Sequence, residues 1–205
     1  MNKNPNNTEL DTIKYGTATL NLGKGTTVTI DSELLNSCTL SDAFKTMRPS
    51  SDVCSIQTLT DLDGTVDKRF FLEGSSSFIQ VVYDEDDLSH LRRSLKLWVL
   101  IESPIITTDS EQEESIRNLL ADQISLNGHL YERVNRLIQY EFLSVEYQAP
   151  TLSIEQQYNS FERYINDEYD VEEIRCVIDA SDKTGKISYW VGIEIEPEDL
   201  STSND

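Results

Sequence analysis

Apolar runs punctuated by turn residues pattern the middle of the chain. Ser55 to Thr60 alternates apolar and polar residues, the apolar-rich runs Arg69 to Leu72 and Phe78 to Tyr83 follow, and Asp61-Leu62-Asp63-Gly64 and Gly74-Ser75-Ser76-Ser77 separate them. Such runs bounded by turn residues predict strands, here a three-strand meander. Asn127-Gly128, set between Ile124-Ser125-Leu126 and Leu130-Tyr131-Glu132-Arg133, predicts a tight hairpin, because both turn residues tolerate positive φ. Further strands are expected at Thr26 to Ile30, Tyr140 to Tyr147, Ile174 to Ile178 and Ile187 to Ile195, the last two joined through Ser181 to Gly185.

Helical signals lie between these runs. Asp31 can cap a helix carrying Leu34, Leu35 and Cys38 on one side, and Pro49-Ser50-Ser51 ends that segment. Leu88, Leu91, Leu95 and Trp98 keep helical spacing while Leu95, Leu97, Val99 and Ile101 keep strand spacing, which divides this stretch into a short helix followed by a strand. The acidic turn Glu111 to Glu114 precedes Ile116, Leu119 and Leu120, as expected where carboxylates sit at a helix's positive end. Ser153 with Gln156 makes a capping box ahead of Ile154, Tyr158, Phe161 and Ile165, predicting a helix with an aromatic face that Tyr164 and Tyr169 extend. That face is expected as core rather than as a partner groove. The sum is an α+β fold: mostly antiparallel sheet built from hairpins, with three to four helices packed on it. We expect a flexible tail at 1–14, one domain at 15–196 with room for two lobes meeting near 105–125, and a flexible acidic tail at 197–205.

Charge narrows the partners. Against 17 Lys and Arg stand 37 Asp and Glu, a formal net charge of −20. Such a surface repels phosphate backbones and anionic headgroups, so direct binding of nucleic acid or a membrane surface is disfavoured and a basic protein partner is favoured. Solubility alone is an equally good reason for the charge. Cys38, Cys54 and Cys176 have no paired spacing and are odd in number, which suits a reducing cytoplasm. The polar opening MNKNPNNTELD lacks the layout of a signal peptide, and no apolar run approaches the ~20 residues that span a bilayer.

Candidate chemistry is sparse. Asp61-Leu62-Asp63-Gly64-Thr65-Val66 matches the DxDGT[VL] signature of haloacid-dehalogenase-type phosphatases, in which the first Asp is the nucleophile, the second is the acid/base and both help hold magnesium. That chemistry needs a buried parallel strand before Asp61, whereas Ile56-Gln57-Thr58-Leu59-Thr60 alternates as an exposed hairpin strand does. A plain Asp-Gly turn is the preferred reading. Gly23-Lys24-Gly25-Thr26-Thr27 lacks the Ser or Thr that follows the lysine of a phosphate loop. Asp84 to Asp87 lacks the spacing that wraps calcium, and the two histidines, His90 and His129, are too few for a His-rich metal site. No cofactor, metal or catalytic residue is therefore expected.

Several ordered segments together resemble the YjfK-like bacterial family of unknown function: Leu22-Gly23 to Ile30-Asp31, Arg69-Phe70-Phe71-Leu72-Glu73 into Phe78-Ile79-Gln80-Val81, Gly128 with Tyr131-Glu132-Arg133-Val134, and Val191-Gly192-Ile193-Glu194-Ile195. The resemblance spans most of residues 20 to 196. It departs from the family pattern at Phe161-Glu162-Arg163, where a Tyr-x-Arg strand segment would stand. It implies association with phage-shock-protein-A-like coiled-coil proteins that remodel membranes. The expected function is thus a non-enzymatic cytoplasmic accessory protein that presents an acidic surface to a basic or coiled-coil partner in membrane stress. The alternatives are a DNA mimic that occupies a basic groove, motivated by the net charge, and a magnesium-dependent phosphatase using Asp61 and Asp63.

Overall fold

The computed structural model describes residues 11–15, 18–60, 65–84, 94–104, 108–134, 139–145, 152–166, 170–179 and 186–203. Within them the chain is largely all-β. The expected α+β fold with three to four helices is corrected to antiparallel sheet with two short helices, α1 (Ser32–Leu35) and α2 (Asp109–Leu120), and two 3₁₀ turns at Phe44–Thr46 and Pro197–Asp199.

The meander is β4 (Ser50–Thr60), β5 (Thr65–Leu72), β6 (Ser77–Asp84) and β7 (Ser94–Glu102), each antiparallel to the next. A second meander, β10 (Gln139–Val145), β11 (Leu152–Tyr164), β12 (Val171–Asp179) and β13 (Lys186–Glu194), follows the same rule. The last strands of the two meanders pair, β13 with β7, and the first strands meet where Ser144 of β10 lies opposite Thr58 of β4. Eight strands therefore close a ring, which leaves none of them with a fully unpaired edge.

The two longest strands extend the ring outward. On its side away from β5, β4 pairs with β10 near one end and with β3 (Thr27–Ile30) at the other, and β3 carries β14 (Leu200–Ser203). On its side away from β12, β11 pairs with β10 and then with β9 (His129–Arg133), which carries β8 (Gln123–Leu126). A separate hairpin joins β1 (Asp11–Tyr15) to β2 (Ala18–Leu22). Segments expected as tails are thus partly structured: Asp11–Tyr15 is a strand, and Leu200 is buried as β14 pairs with β3.

Strand side chains alternate between two faces. One face carries Ile56, Phe70, Ile79, Val81, Leu97, Val191, Ile174 and Phe161, which join Leu22, Ile30, Leu35 and Phe44 in one apolar cluster. Only a few residues link the end of β13 to β14 at the far margin of the sheet, so the sheet must curl toward this face, and the apolar cluster lies inside. An eight-stranded ring is narrow enough for side chains to fill it. The opposite, outer face is more polar and carries Asp67, Arg69, Gln80, Trp98, Lys96, Glu162, Glu173 and Arg175.

The helix expected from Ser153 to Ile165 is β11. Its sequence alternates as well as it repeats every third or fourth residue: Asn159 and Phe161 are buried on the inner side, Tyr158, Ser160 and Glu162 lie on the outer side, and nine register pairs with β12 decide in favour of the strand. The aromatic helical face therefore does not exist. Phe161 is core, Tyr158 stacks on an arginine, Tyr164 is 69% exposed, and Tyr169 lies outside the described residues. The helix starting at Asp31 is real but lasts four residues, with the Asp31 carboxylate accepting from the Glu33 N–H. The short helix expected around Leu88 and Leu91 lies outside the described residues.

α2 forms where the acidic turn Glu111 to Glu114 predicts a helix, and Thr108 with Glu111 adds a capping box at its start; the Asn127-Gly128 turn, with φ of 50° and 81°, is the tight turn expected from sequence. α2 and the β8–β9 hairpin connect the two meanders over the stretch where a lobe boundary was expected, and both meanders contribute to the single inner cluster.

Candidate functional site

The outer face rests on an aromatic floor. Gly192 of β13 is the residue between Trp98 of β7 and Glu173 of β12. The Trp98 ring covers it so closely that a Cβ on Gly192 would meet ring atoms at 2.5 to 2.8 Å. The Arg175 guanidinium lies 4.6 Å from the Trp98 ring centroid and 4.8 Å from that of Tyr158, a cation–π sandwich. Trp98 Nε1 donates to Gln80 Oε1 at 2.7 Å, Gln80 Nε2 donates to Asp67 Oδ2 at 2.7 Å, and Arg69 donates to the same oxygen. These bonds fix the floor as one network.

Glutamates stand in a row beside this floor. Glu132 of β9 is directly opposite Glu162 of β11, and Glu162 is directly opposite Glu173 of β12. Directly opposed residues hold their Cβ atoms about 4.5–5.5 Å apart, and like charges so placed are destabilising. Glu173 is relieved: Lys96 Nζ reaches it at 2.7 Å, Ser160 Oγ donates at 2.6 Å and Arg175 lies at 3.4 Å. Burial raises its carboxyl, but Arg175, Lys96 and Ser160 outweigh that and hold it below the usual glutamate value. Glu162 is not relieved. Burial first, and then the Glu173 charge, push its carboxyl above the usual value against a smaller opposing pull from Lys96.

This row opens into a groove of about 650 Å³. Among the described residues its lining includes six acidic residues, Glu162, Asp170, Glu173, Glu194, Glu196 and Asp199, and one basic residue, Lys96. Leu34, Ile165 and Val171, all partly exposed, supply an apolar wall, and the buried Leu40 and Ile193 complete the apolar lining. The segment carrying Leu40 is tied down by a buried bond network: Glu172, fully buried, accepts from Ser41 N–H at 2.7 Å, Tyr131 Oη at 2.6 Å and Arg163 Nε at 2.9 Å, and Arg163 also donates to the Thr39 carbonyl. The groove therefore has fixed walls and a strongly negative field, focused by its concavity.

Several of the residues singled out from sequence lie outside the described residues. Asp61 and Asp63 lie outside the described residues, and the strands that flank them, β4 and β5, are an antiparallel pair with Thr60 opposite Val66. The phosphatase signature instead requires a parallel strand that feeds a helix. Lys24 and Gly25 form the turn between β2 and β3, where Gly25 (φ 87°) donates its N–H to the Val53 carbonyl and no helix follows to receive a phosphate. Asp84 ends β6, while Glu85 to Asp87 and His90 lie outside the described residues; His129 opens β9. Among the described residues no group of three or more His, Cys, Asp or Glu is placed to hold a metal. Sequence reasoning missed Glu162 and Lys96 because Glu162 was assigned to a helix. The available signal was the Glu172-Glu173 pair in a strand, which places one carboxylate on each face. No family model, curated protein or solved structure matches the chain.

Proposed function

We propose that the protein is a non-enzymatic accessory protein that receives a basic segment of a partner protein in the groove beside Glu162. The observation that carries this reading is the lining itself, six acidic residues to one basic residue among those described, over an apolar wall. A cation that also offers apolar surface gains from both, since opposed potentials speed encounter and fix register while apolar contact supplies affinity. The resemblance to the YjfK-like family makes a basic face of a phage-shock-protein-A-like coiled coil the natural partner class. The free thiols of Cys38, Cys54 and Cys176 suit a reducing compartment, and we place the protein in the cytoplasm. Among the described residues no helix is long and apolar enough to cross a membrane.

The groove does not favour DNA mimicry. A duplex presents phosphates on a convex surface, whereas these carboxylates line a concavity. The antiparallel β4–β5 pair likewise gives the phosphatase reading no architectural support.

The test is affinity capture with tagged protein at about 50 mM and about 500 mM salt, where screening of exposed charge differs strongly. We expect a basic partner that is held at low salt, lost at high salt, and lost when Glu194 and Glu196 are both replaced by lysine. Capture that is indifferent to salt and to the double replacement would refute the reading.

A further inference from the structure

We propose that Glu162 is the anchor for one arginine or lysine side chain of that basic segment, so that the guest completes a charge ladder left unbalanced in the free protein. The inference rests on the groove reading above and narrows it to one residue and one chemical class.

Three neighbouring strands present Glu132, Glu162 and Glu173 directly opposite one another on the same face. A sheet normally alternates charge in such a row. Among the described residues, cations are supplied only at the Glu173 end, by Lys96 from β7 and Arg175 from β12. Lys96 reaches across β13 to Glu173 with its ammonium 5.9 Å from the centroid of the Trp98 ring that covers Gly192. Glu162 lines the groove, and among the described residues no cation forms an ion pair with its carboxylate. The guest position follows: one cationic head beside Glu162, its aliphatic stem along the partly buried Leu34 and Ile165, and the Glu194 and Glu196 carboxylates as further lining. The apolar wall favours a peptide segment over a bare polyamine, because a polyamine offers no side chain to Leu34 and Ile165.

The experiment uses the full chain and a fluorescently labelled, capped Leu-Arg-Leu-Arg-Leu peptide, with the same peptide carrying citrulline in place of arginine as the uncharged control. Anisotropy should show binding of the arginine peptide and at least about tenfold weaker binding of the citrulline peptide, the size of one lost charge-assisted contact. Glu162→Gln should weaken the arginine peptide about tenfold, while its thermal midpoint stays at or above that of the wild type, which shows that the variant is folded. Full retention of affinity in Glu162→Gln, with loss in a Glu194→Gln/Glu196→Gln double variant, would overturn the anchor and leave the groove reading standing. No arginine-peptide binding by the wild type overturns the anchor, and a capture experiment blind to Glu194 and Glu196 overturns the groove reading as well. Spermidine that competes as well as the arginine peptide would overturn the assignment to a peptide segment.

Discussion

Gly192 shows how one residue can set a surface. Its missing Cβ lets Trp98 lie flat on β13, and Trp98 in turn seats Arg175. Gly192→Ala places a methyl inside the ring's contact distance, with both neighbours held by hydrogen bonds or stacking. Overpacking of this kind costs about 1–3 kcal/mol, and denaturant unfolding should show a loss in that range. Glu162 makes the opposite prediction. An acid whose folded pKa is raised binds its proton more tightly when folded, so its charged form weakens the fold near neutral pH. Glu162→Gln should therefore raise the thermal midpoint near pH 7, and the gain should shrink as the pH falls through the raised value toward the ordinary 4.5. Glu173 has the reverse sign. Its lowered carboxyl contributes stability above that ordinary value, and the contribution is lost as the pH falls through the folded value. A Glu162→Gln midpoint that tracks the wild type at every pH would remove the account of an unbalanced ladder.

At the scale of elements, β4 and β11 are the joints of the fold, since each serves two neighbours along a single side. Thr58 of β4 lies opposite Lys68 on one side and Ser144 on the other. Proline there takes away a ladder N–H in an interior strand, where proline is not tolerated. Thr58→Pro should destabilise the protein globally, at about 3 kcal/mol or more, with amide exchange rising in β4, β5 and β10 together. Thr108→Ala, by contrast, removes one side of the α2 capping box, on a helix whose only buried residue among those described is Leu119. Loss of such a cap costs about 1 kcal/mol, and the increase in exchange should stay within α2. The strands β5, β6, β12 and β13, whose apolar runs carry no competing helical pattern, and the hairpin turn at Asn127-Gly128 were legible in the sequence. β11 was not. Tyr158, Phe161 and Ile165 happen to share helical spacing, and only pairing with β10 and β12 decides which period governs.

At the scale of the molecule, the ring encloses Cys176 while leaving Cys38 and Cys54 exposed. Burial pushes the Cys176 thiol up to about 12, and thiolate is the reactive form. A thiol reagent at neutral pH should label two of the three cysteines quickly, and the third only as fast as the ring opens, so its rate should rise with denaturant. Rapid labelling of all three would show that the inner cluster is not closed.

The sequence by itself determined the strand-rich middle, the helix α2 with its acidic first turn and the acidic balance, because each follows from local period, turn chemistry or composition. Only the tertiary structure decided that the sheet closes on itself, that β11 is a strand, and that Glu162, Glu173, Lys96 and Glu194 share one groove. Those residues come from four strands, and their meeting depends on register. A one-residue slip would turn every one of these side chains to the other face, and no local pattern in the sequence fixes that register.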